Sequence, residues 1–242
     1  MEWGGRWKPL QYVVARSFSP LSVFFVGQST SDESSLWAVN DLPMVATVTY
    51  EVYLVPWSQT GDVTRDRMIA SNKRDVAGGS SVLLDTIDIP EMLKEDTTGC
   101  TRVTCFLLVR ATTPAAQGVS IPDSVYYLDL VKNLKLMKNP TFLTSNAKRI
   151  SDTVIEFDFQ VDVTSPFVFL EVTGANDLYT GDRDAGVNNR NAGWFSDNNF
   201  LAIGRVSYTL RYTAHEPIQE DVTTFMSLLQ IRSLQNVKTT CE

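Results

Sequence analysis

The chain has 242 residues, 43% hydrophobic and 10% aromatic, enough to bury real cores and to exclude wholesale disorder. A formal net charge of −7 offers no basic face for a nucleic-acid partner, and no apolar run approaches the ~20 residues of a membrane helix. Three cysteines (Cys100, Cys105, Cys241) and one histidine, His215, leave almost nothing from which to build a metal site or a Cys/His nucleophile, so neither metal nor cofactor is expected.

The chain opens MEWGGRWKPLQYVVARSF. Trp7, Leu10, Val14 and Phe18 recur at helical spacing and predict a short amphipathic helix over residues 6–18. Arg6 and Lys8 are followed by broken apolar stretches without a small-residue cleavage site, which is not the pattern of a secretory leader.

Beyond Phe18 the period changes to two. In MVATVTYEVYLVPW, residues Ala46, Val48, Tyr50, Val52 and Leu54 share one face, while Thr47, Thr49 and Glu51 share the other. That is the pattern of a half-buried strand. SVLLDTIDI, RVTCFLLVRA and SVYYLDLVKNLKL read the same way, with turn-rich TGDVTRD, VAGGSS and EDTTG between strands and one helical turn at IPEMLK behind Pro90.

KNPT around Pro140 starts a second series. In SDTVIEFDFQVDV, Ile155, Phe157, Phe159 and Val161 face inward against Glu156, Asp158, Gln160 and Asp162. PFVFLEV, FLAIG, VSYTLRYTA and TTFMSLLQIRSL supply further strands. Each series has the length of an immunoglobulin-like sandwich. The expected fold is all-β: two antiparallel β-sandwiches, residues 20–138 and 139–242, with Val48, Tyr50, Val52, Phe157, Phe159 and Tyr208 buried. A lone helix ahead of two sandwiches has no layer of its own, so its apolar face must cover a sandwich or a partner.

The opening MEWGGRWKPLQYVVARSFSPL resembles the last loop and closing helix of the catalytic (β/α)8 barrel in β-mannosidases of glycoside hydrolase family two. LWAVNDL, TTGCTRVTCFL, SPFVFLEV and GWFSDNNFL are similar to the two C-terminal immunoglobulin-like domains of the animal enzymes. The resemblance covers roughly residues 1–235, and WGGRWKPLQY and FSDNNF are its most specific pieces. It implies that residues 1–19 are a barrel remnant. It also implies that the intact, lysosomal enzyme removes terminal β-D-mannose from the non-reducing end of oligosaccharides. Two glutamates about 5 Å apart would do this with retention, one as acid/base and one as nucleophile. Both would lie upstream of this chain, which by itself is expected to be inactive, with the barrel as its partner.

Glu2 and Trp3 are by this resemblance the residues nearest the barrel's cleft, although barrel closure is the plainer role for them. Asp158, Asp162 and Glu156 read as a solvated strand face, not a catalytic pair. GANDLYTGDRDAGVNNRNAG, within residues 174–193, reads as an inserted surface loop. Its Asp182, Asp184 and Asn188 fail the EF-hand pattern, which finds Val187 where glycine is needed and Gly193 where glutamate is needed. FSDNNF predicts a tight turn delivering Phe195 and Phe200 into neighbouring strands, and His215 reads as a surface residue.

Cys100 and Cys105 would be ~16 Å apart on an extended strand, against the ~5.5 Å between Cα atoms that a disulfide needs. The family resemblance nevertheless implies a local bridge, and the pairing stays open; Cys241 is expected to be free. A different class of function, an independent immunoglobulin-like module binding carbohydrate or protein, would show an exposed row of aromatics. The aromatics here fall mostly on inward faces.

Overall fold

The computed structural model describes residues 7–114, 118–173 and 192–238. Glu2, Trp3, Asp182, Asp184, Asn188 and Cys241 lie outside the described residues. The chain divides into two compact units: residues 15–136, and residues 137–242 together with the segment up to Val14.

The N-terminal unit is an antiparallel β-sandwich. One sheet has the order β1-β2-β5, formed by β1 (Leu21–Val26), β2 (Glu33–Asn40) and β5 (Ser80–Asp88). The other has the order β4-β3-β6-β7, from β3 (Ala46–Pro56), β4 (Met68–Val76), β6 (Cys105–Thr112) and β7 (Ser124–Tyr127). The alternation read from the sequence is what builds this core. Val48, Tyr50, Val52 and Leu54 of β3 meet Leu107 and Val109 of β6 on the inner face, opposite Leu21, Leu36 and Leu84. Tyr50 enters without leaving its hydroxyl orphaned, because it donates to the Leu84 carbonyl at 3.2 Å. Toward its end β3 is buried on both faces, through Tyr53, Leu54 and Val55 and then Trp57 beyond the strand.

Two turns pin the ends of these strands. Fully buried Asn40 donates to the carbonyls of Met44 (2.8 Å) and Val76 (2.9 Å) and accepts from the Leu42 amide, fixing the β2–β3 connection. Gly78 packs against that turn so closely that a Cβ would lie 2.7 Å from the Leu42 oxygen. Helix α2 (Ile89–Glu95) follows β5, its N-terminus capped by Asp88, which accepts from the Glu91 amide at 2.9 Å.

Cys100 and Cys105 are bridged, with their Cα atoms 5.6 Å apart. The chain curls between them because the amides of Thr104 and Cys105 both bond the Thr101 carbonyl at 3.1 Å, while the Thr101 amide bonds the Thr104 hydroxyl. Asp96 anchors the entry to the curl by accepting from the Thr98 and Cys100 amides at 3.0 and 2.8 Å. Strand β6 therefore begins only at Cys105, not at Arg102. The strand read through SVYYLDLVKNLKL likewise stops at Tyr127: Asp129 accepts from the Leu130 amide and the Asn133 amide group, turning the backbone into a 3-10 turn at Val131–Asn133.

The C-terminal unit is a second antiparallel sandwich. Its larger sheet has the order β11-β13-β9-β8, from β8 (Phe142–Ser151), β9 (Val154–Val161), β11 (Gly193–Phe195) and β13 (Ser207–Ala214). The smaller has the order β12-β10-β14, from β10 (Ser165–Val172), β12 (Phe200–Ala202) and β14 (Leu229–Arg232). Ile155, Phe157, Phe159 and Val161 of β9 are buried as their period required. Tyr208 is only half-buried; it sits near the start of β13, where its hydroxyl accepts from the Ile203 amide at 2.7 Å. TTFMSLLQIRSL is not one strand. Asp221 caps helix α3 (Val222–Ser227) by accepting from the Thr224 amide at 2.9 Å, and only Leu229–Arg232 is extended before α4 (Leu234–Lys238).

Closing a loop as short as that between Cys100 and Cys105 stabilises the N-terminal sandwich by roughly 2 kcal/mol through the unfolded state. Paired Cys100→Ser and Cys105→Ser substitutions are expected to lower its urea midpoint, with reductant producing the same shift in the unaltered chain. A midpoint indifferent to both would show that the bridge contributes nothing to stability.

Candidate functional site

The first helix, α1 (Pro9–Ser17), sits where the sequence places it, but it is held by a different residue. Pro9 opens it with its pre-set φ, and Gln11 reaches back to accept from the Lys8 amide at 3.0 Å. Nine residues are too few for a stable helix in water without tertiary support. That support is Tyr12, 4% exposed and packed in the core of the C-terminal sandwich. Its hydroxyl accepts from the Phe195 amide at 3.0 Å. Burial raises the Tyr12 pKa, against the lowering pull of that amide and of Asn198.

Trp7 packs as well, 5.3 Å from the Tyr12 ring and stacked at 6.2 Å on Trp194, which in turn meets His215 at 5.2 Å. The rest of the expected stripe does not pack: Leu10 is 68% exposed, Val14 41% and Phe18 79%. Trp7 precedes the helix, so the helical spacing counted from it does not describe one face. The apolar face that results is Leu10, Val13 and Val14, neighbours at i, i+3 and i+4, with Phe18 just beyond. Tyr12 thus anchors one side of α1 while an apolar side stays wet.

The FSDNNF turn receives this anchor. It delivers Phe195 and Phe200 to burial, but into different sheets, since β11 belongs to the larger sheet and β12 to the smaller. Asn198, 1% exposed, makes the crossing possible. Its side-chain oxygen accepts from the Leu170 amide and its side-chain nitrogen donates to the Leu170 carbonyl, both at 2.8 Å. One amide thereby stands in for a stretch of β-ladder on β10. Sequence reasoning took this asparagine only as a turn former; nothing in its own position distinguishes a side chain that folds inward. Beside it, Gly193 is required in β11, because a Cβ there would lie 2.1 Å from the Thr213 oxygen.

The carboxylates on the outer face of β9 are clasped. Glu156 accepts from Lys148 at 2.8 Å and from Arg211 at 2.7 Å, and is largely covered as a result. Asp158 accepts from the Asn146 side chain and the Thr209 hydroxyl at 2.7 and 2.8 Å, and Asp162 from the Thr141 amide at 2.8 Å. Hydrogen bonds from Lys148 and then Arg211 hold the Glu156 carboxyl below its ordinary value, and those from Asn146 and Thr209 do the same for Asp158. An acid/base pair needs its two pKa values driven apart; here both move down. His215 is exposed beyond its contact with Trp194. No group of three or more His, Cys, Asp or Glu that could hold a metal ion occurs among the described residues.

Asn198→Ala would orphan the buried amide and carbonyl of Leu170, at about 1–3 kcal/mol for each group. The expected outcome is a markedly lowered melting temperature of the C-terminal sandwich; a change of less than about 1 °C would show that the amide pair is dispensable. The depressed Glu156 and Asp158 carboxyls give a second expectation. Their stabilisation is complete above the ordinary Glu value of 4.5 and is lost as pH falls through the folded values. Arg211→Met should therefore lower stability near neutrality and flatten its decline below about pH 4.5, read by thermal melts across that range.

Comparison with known proteins gives this architecture its relatives. Residues 32–133 match the family described as a mannosidase Ig/CBM-like domain. The β-mannosidase of Capra hircus is 29% identical over 201 residues, covering 83% of this chain and 20% of the relative. That of Mus musculus is 26% identical over 212 residues, covering 88% and 21%. The chain thus spans about a fifth of the length of the curated relatives it matches. Among solved structures, the β-D-mannosidase of Dictyoglomus thermophilum shares the fold with a TM-score of 0.65 at 18% identity, over 94% of this chain and 23% of that one. The exo-chitosanase of Amycolatopsis orientalis shares it at 0.52 and 12%, over 92% of this chain and 26% of its own. Residues 32–133 are thus similar to a mannosidase Ig/CBM-like domain, and similarity to animal β-mannosidases runs through most of the chain.

Proposed function

We propose that this chain is the non-catalytic part of a β-mannosidase, holding in place a catalytic (β/α)8 barrel that removes terminal β-D-mannose from oligosaccharides. The observation that carries the reading is the two-sided helix α1. Tyr12 and Trp7 fix it to the C-terminal sandwich, while Leu10, Val13 and Val14 present an apolar face to solvent. Each large side chain left wet forfeits ~1.5–3 kcal/mol that burial would supply. A helix kept apolar on its outer side is built to be covered, and a preceding barrel is the cover that the resemblance of WGGRWKPLQY supplies. Retaining hydrolysis in that barrel would use two glutamates carried outside this chain. The carboxylates of β9 are already committed to Lys148, Arg211, Asn146 and Thr209.

The compartment that fits is the lysosome. A disulfide at Cys100–Cys105 suits an oxidising secretory route, and carboxyls held below their ordinary range stay ionised in a mildly acidic lumen. No helix of the described residues is long and apolar enough to cross a membrane. The competing reading, an independent sugar-binding module, would need open aromatic faces. Trp7 and Trp194 instead spend a face on each other.

The purified 242-residue chain should show no turnover of 4-nitrophenyl β-D-mannopyranoside. In a longer protein carrying the barrel, Leu10→Asp and Val14→Asp should lower the melting temperature by several degrees, while leaving that of this chain alone nearly unchanged. Turnover by the isolated chain, abolished by altering one of its own acids, would overturn the non-catalytic assignment. Equal indifference of both proteins to the helix substitutions would overturn the docking role of α1.

A further inference from the structure

The outer face of the sheet β1-β2-β5 is a three-by-three grid fixed by strand register. Phe24, Trp37 and Leu83 lie abreast across the three strands. On one side of this row Ser22, Val39 and Ser81 lie abreast, and on the other Val26, Ser35 and Thr86. The alternate residues Leu21, Val23, Leu36, Ala38 and Leu84 belong to the core, so the grid points away from it.

A solvent-facing sheet side is ordinarily polar and charged, as the outer face of β9 is with Glu156 and Asp158. No residue of this grid is charged, although 20% of the chain is. Charge returns past Ser35, at Glu33 opposite Asp88. Leu83 is 44% exposed and Val26 49%, while Phe24 and Trp37 are half-buried in the central row. Unlike Trp7 and Trp194, neither of these two rings is spent on another ring among the described residues. Polar capacity is unspent too: the Trp37 indole N–H and the hydroxyls of Ser22, Ser35, Ser81 and Thr86 have no partner among the described residues.

Such a surface fits a ligand that is apolar on its faces and hydroxylated at its edges. Size narrows the occupant. The three strands span about 10 Å and Ser22 to Val26 about 13 Å, so the grid covers roughly 130 Å². A stable protein interface needs about 800 Å² on each partner. A pyranose ring has the required form, with C–H groups on its faces and hydroxyls around its rim.

We propose that this face binds a neutral, β-linked hexose oligosaccharide laid flat along the row Phe24–Trp37–Leu83. Sugar C–H groups rest against Phe24 and Trp37, whose ring electrons attract them. Hydroxyls at the ring edges meet Ser22 and Ser81 on one side and Ser35 and Thr86 on the other, each about 7 Å along its strand from the central row. Equatorial β-1,4 linkages keep such a chain extended and ribbon-like, which suits a flat sheet, whereas α-1,4 linkages coil it. The surface belongs to the N-terminal sandwich and α1 is held by the other, so it adds to the attachment role. It uses nothing from the mannosidase reading and stands or falls apart from it.

The test titrates β-1,4-linked mannohexaose into the full 242-residue chain and follows saturation-transfer difference NMR. Comparators are the β-1,4-linked mannuronate hexamer, the same chain with a carboxylate on every ring, and α-linked maltohexaose. Saturable binding of mannohexaose is expected, at least about fivefold tighter than either comparator, with saturation reaching its ring C–H protons. Trp37→Ala should weaken it at least about tenfold. Leu83→Glu, at an exposed position, should weaken it at least about fivefold while circular dichroism and melting stay unchanged. Absence of saturable binding would overturn the proposal, as would equal affinity for either comparator or indifference to Leu83→Glu. Dimerisation that Leu83→Glu abolishes and mannohexaose leaves untouched would assign the face to a second copy instead. In a longer protein carrying a barrel, loss of the binding together with a melting temperature lowered by Leu83→Glu would assign it to a neighbouring domain.

Discussion

A sandwich core tolerates a polar group only when that group arrives already paired, and much of this molecule's irregular structure answers to that constraint. Two sheets packed face to face leave a layer about 10 Å thick from which water is absent. Tyr50 enters the layer and donates to Leu84; Asn40 enters and closes three bonds at the β2–β3 turn. Tyr12 belongs to a helix outside both sheets, yet it reaches the second core because the Phe195 amide meets its hydroxyl. Asn198 satisfies both backbone groups of Leu170. Trp57 is the exception, its indole nitrogen buried without an acceptor among the described residues. Its ring is held instead by Phe106 at 4.4 Å and Tyr127 at 6.0 Å.

The same constraint decides how much of the fold could be read in advance. Strands with one dry face, such as β3, β5, β9 and β13, announce themselves by alternation, and the residues expected inside β3 and β9 are there. The edge strands β4 and β8 do not. MIASNKRDV and FLTSNAKRIS are mostly exposed along their length, so nothing selects apolar residues at every second position. Interior pairing also hides from a pattern search. The Cys100–Cys105 bridge depends on a curl made by two threonines, and α3 depends on one aspartate, Asp221. The anchoring role of Tyr12 is invisible because it depends on Phe195, far along the chain, coming to the helix.

These features divide the labour within the region. The polar face of β9 is a finished structure, with Glu156 paired to Lys148 and Arg211, Asp158 bonded to Asn146 and Thr209, and Asp162 bonded to the Thr141 amide. Unfinished surface lies elsewhere, as on the outer side of α1.

Asn198 also carries a liability of age. Hydrolysis of its side-chain amide would leave a carboxylate whose second oxygen faces the Leu170 carbonyl across 2.8 Å, acceptor against acceptor inside a dry layer. The crossing from β11 to β12 depends on that one amide, and the berth of α1 lies beside it at the Phe195 amide, so a lesion at Asn198 would loosen the sheet next to the point where the helix is held. The rigidity that holds the group also restrains its attack by the following backbone nitrogen. Loss of the amide would then wait on opening of the turn.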